Sequence, residues 1–263
     1  MKNIKKLFVI SDLHGHYKIT IDALKDAGYD ENDKNNLLLV LGDIFDRGLE
    51  NKEIYIWLKR LTDEGKAIVL RGNHDQFLID FLENPCKVDN LFNFNNNGLK
   101  TTIYSLLNNK GTLEDYYNSK PFVNSSKAKV FKAWNMCVSD LINKMYPDLL
   151  DWIKSFNYYY ETESYIFTHA SIDGFCDDFR RPDIDWETLL WDDGSFFGRK
   201  IKNTKKTVVV GHFNTRDIRF MYGVGKKNDF SVLKRKDGKV IMVDACTIVS
   251  KKVNVLVIKE NIM

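Results

Sequence analysis

The sequence predicts an α/β fold built around parallel strands. Short apolar runs recur along the 263 residues and end in polar segments, and stretches with helical spacing separate the first three. Because alternating strands and helices place consecutive strands in parallel through right-handed crossovers, the first eighty residues predict a βαβαβ unit. The runs with their polar tails are LFVISDLHG (7–15), LLLVLGDIFDRG (37–48), IVLRGNHD (68–75), YIFTHA (165–170) and VVVGHF (208–213).

An amphipathic helix is predicted after each of the first three runs. Apolar residues recur at helical spacing on one face, and Gly28, Gly65 and Pro85 follow where the three faces end. Glycine suits the left-handed conformation that ends many helices, and proline cannot continue one. The three apolar faces consist of Ile21, Leu24 and Ala27, of Ile54, Trp57, Leu58 and Leu61, and of Phe77, Leu78, Phe81 and Leu82.

Residues 86–157 break this alternation and predict an α-helical insertion that caps a site. The segment is rich in asparagine at first and later carries a helical apolar stripe, which is typical of an amphipathic helix packed on its neighbours. We therefore interpret residues 1–263 as one α/β domain with an insertion at about 86–157. The stripe consists of Val130, Phe131, Trp134, Val138, Leu141, Ile142 and Met145.

Strands return from residue 164 onward. After the fourth and fifth runs, the segment KVIMVDA (239–245) predicts a further strand, with a hairpin partner at VNVLVI (253–258).

The polar tails supply six side chains that suit two divalent metal ions. In an extended segment, side chains two residues apart face the same way, and a carboxylate with two oxygens can bridge two ions. A mixture of carboxylate, carbonyl and imidazole fits Mn²⁺, Fe or Zn²⁺ better than Ca²⁺. Two ions about 3.5–4 Å apart can hold a bridging hydroxide and clamp a phosphoryl group. The six candidate ligands are Asp12, His14, Asp43, Asn73, His169 and His212.

Five motifs in this order resemble the phosphoprotein phosphatase family of calcineurin-like metallophosphoesterases, and the bacterial and bacteriophage branch in particular. They read SDLHG (11–15), GDIFDRG (42–48), RGNHD (71–75), THAS (168–171) and VGH (210–212). The resemblance implies a calcineurin-like β-sandwich with a βαβαβ core and mixed sheets flanked by helices. The symmetrical diadenosine tetraphosphatases share these motifs, so the family name leaves the substrate open.

The resemblance also implies a role for each motif residue. Asp12 and His14 would bind a first metal together with Asp43, and Asp43 would also bind the second. Asn73, His169 and His212 would complete the second site, and Mn²⁺ is the ion expected first, with Fe or Zn²⁺ as alternatives. The remaining three residues are His74 as the general acid, Asp46 as the carboxylate that orients it, and Arg47 as the group that grips phosphate.

The residues themselves agree with these roles. His74 directly follows a metal ligand, and a carboxylate partner would raise the pKa of its imidazole and favour the acid form. The planar fork of Arg47 matches a phosphate group, although a surface ion pair with the neighbouring carboxylates is the alternative. We expect Asp75 to cap the following helix and His16 to be an exposed loop side chain.

A departure from the family pattern concerns the binding of phosphate. Asp193 stands where the family branch has a second phosphate-binding arginine, and an acid there would repel phosphate unless it points away. Arg199 is the first candidate to replace that arginine, and Arg180 or Arg181 are the alternatives.

The leading hypothesis is therefore a phosphomonoesterase of the serine/threonine phosphatase type, which uses a metal-bridging hydroxide. One alternative is a symmetrical tetraphosphatase that converts diadenosine tetraphosphate to two ADP. The other is a phospho-ligand binding module with weakened catalysis. The expected partner is a phosphorylated protein or a small phosphate-containing substrate.

Composition argues against other partners and compartments. With 39 basic and 36 acidic side chains, a net charge of +3 is too balanced to predict binding to nucleic acid or membrane. The N-terminus lacks the roughly 7–15 apolar residues of a secretory signal. The scattered cysteines predict reduced, mostly buried thiols in a cytoplasmic protein. They are Cys86, Cys137, Cys176 and Cys246.

Overall fold

Two mixed β-sheets form the centre of the protein. The structure is a computed structural model and describes residues 4–108, 127–172, 186–202 and 204–261. The first sheet has the strand order β3-β2-β1-β9, and the second has the order β4-β5-β6-β8-β7. The strands are β1 (Ile4–Ile10), β2 (Asn36–Val40), β3 (Ala67–Val69), β4 (Tyr159–Glu161), β5 (Tyr165–Thr168), β6 (Thr207–Val210), β7 (Leu233–Lys234), β8 (Val240–Met242) and β9 (Leu256–Asn261).

The predicted βαβαβ unit is present in the first sheet. Strand β1 pairs in parallel with β2, and β2 pairs in parallel with β3. The connecting helices end within two residues of the predicted stop signals. They are α1 (Tyr17–Asp26), α2 (Asn51–Asp63) and α3 (Asn73–Glu83).

Alternation along each strand sorts the apolar side chains into three cores, because successive side chains point to opposite faces of a sheet. Leu7 and Val9 of β1 lie in the central core between the sheets, together with Phe167 of β5 and Val209 of β6. Phe8 belongs instead to the core beneath α1, α2 and α3. A third core covers the outer face of the second sheet with short helical segments. This layering confirms the predicted α/β sandwich.

The insertion contributes helices to the core beneath α1–α3. Trp134, Val138 and Ile142 are buried there, whereas Leu141 and Met145 are exposed, so the stripe is narrower than predicted. The helices of this segment are α4 (Asp89–Phe92), a π-helical turn (Asn93–Asn97), α5 (Leu99–Leu106), α6 (Lys127–Met145) and α7 (Leu149–Lys154).

The remaining helices are short and lie in the C-terminal half of the chain. They are α8 (Glu187–Leu190), a 3₁₀ turn (Ser195–Gly198), α9 (Thr215–Tyr222) and α10 (Thr247–Ser250). No helix within the described ranges combines the length and the apolar character that crossing a bilayer requires.

The predicted hairpin between 239–245 and 253–258 is wrong. Strand β8 pairs with β6 and β7 in the second sheet, whereas β9 crosses over and pairs antiparallel with β1 in the first. Both segments carry apolar residues that suit either sheet, so local sequence did not identify the partner strand.

Two further sequence expectations are corrected. Cys86 and Cys137 are exposed and Cys246 is partly buried, so these free thiols are not mostly buried; Cys176 lies outside the described residues. His16 is partly buried rather than exposed, because its ring nitrogen Nδ1 lies 2.7 Å from the carbonyl oxygen of His14.

The shared core leads to a prediction about the insertion. We expect Ile142→Ala to lower the free energy of unfolding by about 2–5 kcal/mol, because it removes fully buried apolar volume. The neighbouring Leu141→Ala, at an exposed position, should change it by about 0.5 kcal/mol or less. Urea denaturation followed by tryptophan fluorescence and circular dichroism measures both. A separate transition for the insertion would contradict a core common to it and the sheet.

Candidate metal centre

The polar segments that follow the strands meet at one edge of the two sheets. Segment 11–15 follows β1, segment 41–48 follows β2, and α3 begins shortly after β3. His169 directly follows β5, and His212 lies just after β6. Parallel strands present their carboxyl ends together, and side chains in the connections therefore converge. The structure brings together all six candidate ligands, of which only His212 is not fully buried: Asp12, His14, Asp43, Asn73, His169 and His212.

Asp43 lies between two groups of donors. Its Oδ2 is 3.7 Å from Nε2 of His14, and its Oδ1 is 3.4 Å from Nε2 of His169. The first group consists of His14, Asp43 and His74, and the second of Asp43, His169 and His212, with donor atoms within 4.8 Å of one another in each. One carboxylate with its two oxygens facing two separate groups has the geometry of a ligand that bridges two ions.

Backbone carbonyls orient two of the imidazole rings. Nδ1 of His14 lies 2.9 Å from the carbonyl oxygen of Phe45, and Nδ1 of His169 lies 2.6 Å from that of Leu41. Because a carbonyl oxygen only accepts, each Nδ1 carries the proton, and each Nε2 presents a lone pair to the centre. This arrangement is typical of histidines that bind metals.

Lone pairs converge at the second group. Nε2 of His169 lies 3.2 Å from Nδ1 of His212 and 3.0 Å from Oδ1 of Asn73. With the Nδ1 proton of His169 held by Leu41, its Nε2 has no proton to donate in the neutral ring. An ion between these atoms would accept all three lone pairs, so the donor set fits a divalent cation.

The electrostatics of the centre also fit a cation. Burial raises the pKa of Asp12 and raises that of Asp43 well above its usual range. Burial likewise lowers the pKa of His14 well below its usual value and lowers that of His212 to about 3. A divalent ion stabilises ionised carboxylates and neutral imidazoles. It would therefore lower the raised pKa values of the two carboxylates, and the histidines would stay neutral and able to bind it.

Asp12 lies outside both close groups of donor atoms, and His74 lies within the first. Oδ2 of Asp12 accepts hydrogen bonds from Oγ of Ser11 (2.5 Å) and from the backbone N–H of His212 (2.9 Å), and Asp12 belongs to neither close group. His74 instead stands beside His14 in the first group, with Nε2 4.0 Å from Oδ2 of Asp43. The ligand role of Asp12 and the general-acid role of His74 therefore stay predictions.

His74 forms a hydrogen-bonded pair with Asp46. The two atoms, Nδ1 of His74 and Oδ2 of Asp46, are 2.8 Å apart in a buried setting. Burial raises the pKa of Asp46 to about 7 and lowers that of His74 well below its usual value, with Arg47 lowering the latter further. Both shifts disfavour the fully charged pair of imidazolium and carboxylate.

Arg47 bridges the two imidazoles of the first group. Its Nη1 lies 2.8 Å from Nε2 of His14, and its Nη2 lies 2.9 Å from Nε2 of His74. The guanidinium therefore points into the centre, where it can meet an anion. For His14 to bind an ion through Nε2, the Arg47 side chain has to move away from that atom.

The backbone around the centre is strained. Asp12, His14, Asp43 and His212 have φ angles of 55°, 44°, 54° and 62°, in the left-handed region that non-glycine residues rarely adopt. Each such residue costs about 1–3 kcal/mol, and residues of this kind cluster at functional sites. Surrounding hydrogen bonds stabilise these strained conformations. One example is the 3.0 Å bond from the backbone N–H of His14 to the carbonyl oxygen of Asp43.

Asp75 both caps a helix and holds the bridging segment. Its carboxylate accepts from the backbone N–H of Gly72, so Asp75 caps α3 as predicted, but from the third residue of that helix rather than from ahead of it. The same carboxylate accepts from the backbone N–H groups of Asp43 (3.0 Å) and Ile44 (3.1 Å). The second function was not predicted, because it joins residues more than 30 positions apart in the chain.

Two further neighbours of the centre were not predicted from the sequence. The hydroxyl of Thr102 bonds to Asp46, and the ring centroid of Trp191 lies 5.6 Å from that of His212. The position of Trp191, two residues before the departure at Asp193, was an available signal. No local signal pointed to Thr102, which lies in the insertion.

Arg199 lies at a cavity of about 600 Å³ that Trp191 also lines. Its Nη2 is 2.6 Å from Oγ of Ser195 and 3.6 Å from Oδ2 of Asp192. Asp193 is exposed and accepts a hydrogen bond from the backbone N–H of Ser195. The alternatives Arg180 and Arg181 lie outside the described residues, and substrate binding by Arg199 stays a prediction.

Comparison with known proteins identifies relatives among phosphatases. The chain is 30% identical over 105 residues to the asymmetrical bis(5'-nucleosyl)-tetraphosphatase PrpE of Bacillus velezensis, a match that covers 37% of this chain and 39% of that protein. It is 29% identical over 79 residues to serine/threonine-protein phosphatase 1 of Salmonella typhimurium, covering 30% and 34% of the two chains. The chain thus spans well under two thirds of the length of these curated relatives.

Solved structures share the fold over nearly the whole chain. The cold-active protein-tyrosine phosphatase of a psychrophilic Shewanella superposes with a TM-score of 0.55 at 18% identity, covering 98% of this chain and 76% of that one. The Saccharomyces cerevisiae serine/threonine phosphatase with similarity to human PP5 gives a TM-score of 0.50 at 17% identity, covering 91% and 67%. The sequence profile of the calcineurin-like phosphoesterases matches residues 5–243, and the chain belongs to that family.

Proposed function

We propose that the protein is a metal-dependent phosphomonoesterase of the serine/threonine phosphatase type. The observation that carries the proposal is the position of Asp43, whose two oxygens face two separate groups of buried histidines. The His74–Asp46 pair and the Arg47 guanidinium next to these groups supply the other parts that hydrolysis of a phosphate ester needs. The proposed ligands are Asp12, His14, Asp43, Asn73, His169 and His212, with Mn²⁺ as the first ion to test.

The metal pair would supply Lewis-acid charge and a nucleophilic water for displacement at phosphorus. Arg47 would bind the phosphate: its guanidinium already points into the centre, and its two N–H donors can exchange the imidazoles for phosphate oxygens. Because the site is buried, each such charge-assisted bond is stronger than it would be in water.

His74 would protonate the leaving oxygen. Its Nδ1 faces Asp46, so Nε2 is the ring atom left to face the substrate. The charge of a bound phosphate would raise the pKa of His74, against the lowering caused by burial and Arg47. Asp46 supports the protonated ring, because its carboxylate accepts the Nδ1 proton.

The second candidate is cleavage of dinucleoside tetraphosphates, which the name of the Bacillus velezensis relative favours, although that relative is named asymmetrical. The surroundings of the centre favour the monoesterase. The cavity beside Trp191 is lined by three acids, Glu187, Asp192 and Asp193, and by one base, Arg199, so its net negative charge would repel a chain of further phosphates. The third candidate is a module that binds phospho-ligands without hydrolysing them. It rests on the absence of the second phosphate-binding arginine, whose position Asp193 occupies.

The other properties proposed for the protein rest on the sequence. We keep as predictions a single domain over 1–263 with an insertion at about 86–157, a cytoplasmic location, and a phosphorylated protein or small phosphate compound as partner. Phosphate contact by Arg199 belongs to the same set.

Asp43→Asn tests the bridging role. It should lower the affinity for Mn²⁺ by about tenfold or more and lower the number of Mn²⁺ ions bound per chain, because the ligand loses the charge that both ions share. Isothermal titration calorimetry and elemental analysis measure both quantities. Asp63→Asn, the same change in an exposed carboxylate that pairs with Lys59, is the matched control. Unchanged stoichiometry in Asp43→Asn would argue against a shared ligand.

His74→Asn tests the general acid. Metal binding should stay near normal, while kcat should fall by about 10²-fold or more for alkyl phosphates and much less for p-nitrophenyl phosphate, whose leaving group needs no proton. Asp46→Asn should show the same pattern, and the double variant should be little slower than His74→Asn. Equal losses for both types of substrate would rule out proton donation by His74.

A pair of substrates tests the proposed class. The Mn²⁺-loaded protein should release phosphate from a phosphoserine peptide and cleave diadenosine tetraphosphate at least about tenfold more slowly, a ratio equal to about 1.4 kcal/mol. Asp193→Arg should reduce this preference, whereas Asp89→Arg on the insertion should not. ADP as the main product of an efficient reaction would favour the tetraphosphatase, and hydrolysis of neither substrate would favour the binding module.

A further inference from the structure

One face of α5 contacts the loop that carries Asp46 and Arg47. Gly98, Thr102 and Ser105 are spaced at helical intervals, so they line the same side of the helix. The carbonyl oxygen of Gly98 accepts from the backbone N–H of Arg47 at 3.4 Å, and Oγ of Ser105 accepts from the backbone N–H of Lys52 at 2.9 Å. The insertion is thus joined to the loop at one end of this face and to the first turn of α2 at the other.

Thr102, between these two contacts, makes two hydrogen bonds to Asp46. Its hydroxyl donates to Oδ1 of Asp46 at 2.5 Å and accepts from the backbone N–H of Asp46 at 2.9 Å. Both side chains are fully buried, with no exposed surface. The hydroxyl therefore fixes the carboxylate at its backbone and at one oxygen, and it leaves Oδ2 aimed at Nδ1 of His74.

The loop that carries Asp46 and Arg47 needs contacts from other segments to keep its backbone conformation. Asp46 and Arg47 have φ angles of 73° and 66°, in the left-handed region that disfavours both side-chain types. Gly98 permits close approach, because a Cβ added there would lie 2.6 Å from the backbone nitrogen of Arg47. A strained conformation persists only where surrounding contacts determine it, and here α5 supplies several of those contacts.

We propose that Thr102 is a positioning residue, which sets the Asp46 carboxylate and, through it, the His74 ring for proton transfer. The inference rests on the proposed function, since it concerns the protonation of a leaving oxygen. It assigns to the insertion a part in catalysis: α5 completes the hydrogen-bonded chain from Thr102 through Asp46 to His74.

The kinetic test compares variants on one helix face. Thr102→Val, which keeps the shape and loses the hydroxyl, should lower kcat for an alkyl phosphate by about tenfold or more, with KM and the rate for p-nitrophenyl phosphate within about threefold. Thr102→Ser should restore the alkyl phosphate rate. Ser105→Ala loses a hydroxyl from the same interface without contact to Asp46, and its effect should be equal for both substrates.

An NMR measurement separates this proposal from the proposed function. In protein labelled with ¹⁵N-histidine and supplied with diamagnetic Zn²⁺, His74 should give an exchange-protected Nδ1 proton signal, assigned by its loss in His74→Asn. Thr102→Val should shift or broaden that signal, and Ser105→Ala should leave it in place. The NMR signal can be measured even if the wild-type protein hydrolyses neither substrate. That inactivity would contradict the proposed function but not the positioning role of Thr102.

Two results would overturn the positioning role. One is a Thr102→Val variant with an unchanged His74 signal. The other is equal slowing of alkyl and p-nitrophenyl phosphates by Thr102→Val and Ser105→Ala, which would mean that α5 only supports the loop. A melting temperature for each variant shows whether general destabilisation explains the losses, and rescue by Thr102→Ser excludes that explanation.

Discussion

The burial of one carboxylate between two groups of histidines is the constraint on which the site depends. Asp43 is 2% exposed, so bulk solvent compensates little of the charge of its carboxylate, and positive charge has to come from ligands or partners at close range. The fold supplies the matching geometry. Asp75 holds the backbone of Asp43, and Gly72 lets α3 approach so closely that an added Cβ would collide with the Asp43 carboxylate.

The two sheets have separate tasks at this centre. The first sheet delivers His14 and Asp43 from the ends of β1 and β2, and the second delivers His169 and His212 from the ends of β5 and β6. The central core fixes the distance between the sheets, because its apolar side chains interlock between them. The relative positions of the donor atoms from the two sheets therefore depend on the packing between the sheets.

The helical insertion belongs to this arrangement more closely than its position in the chain suggests. Its helices share the core beneath α1–α3, and its α5 lies along the loop that carries Asp46 and Arg47. Contacts over more than 50 positions of sequence link them. Hydrogen bonds from the insertion contribute to holding this strained loop, so a change in α5 would reach the centre through hydrogen bonds rather than through direct contact with a substrate.

The sequence by itself determined the βαβαβ unit, the helix ends and the candidate ligands, because local periodicity, stop residues and strand-terminal motifs are properties of short segments. Only tertiary structure decided that β9 pairs with β1, that His74 rather than Asp12 joins the first close group, and that Thr102 bonds to Asp46. These three features depend on contacts between distant segments. Such contacts follow from how the sheets and helices pack, and no local pattern encodes them.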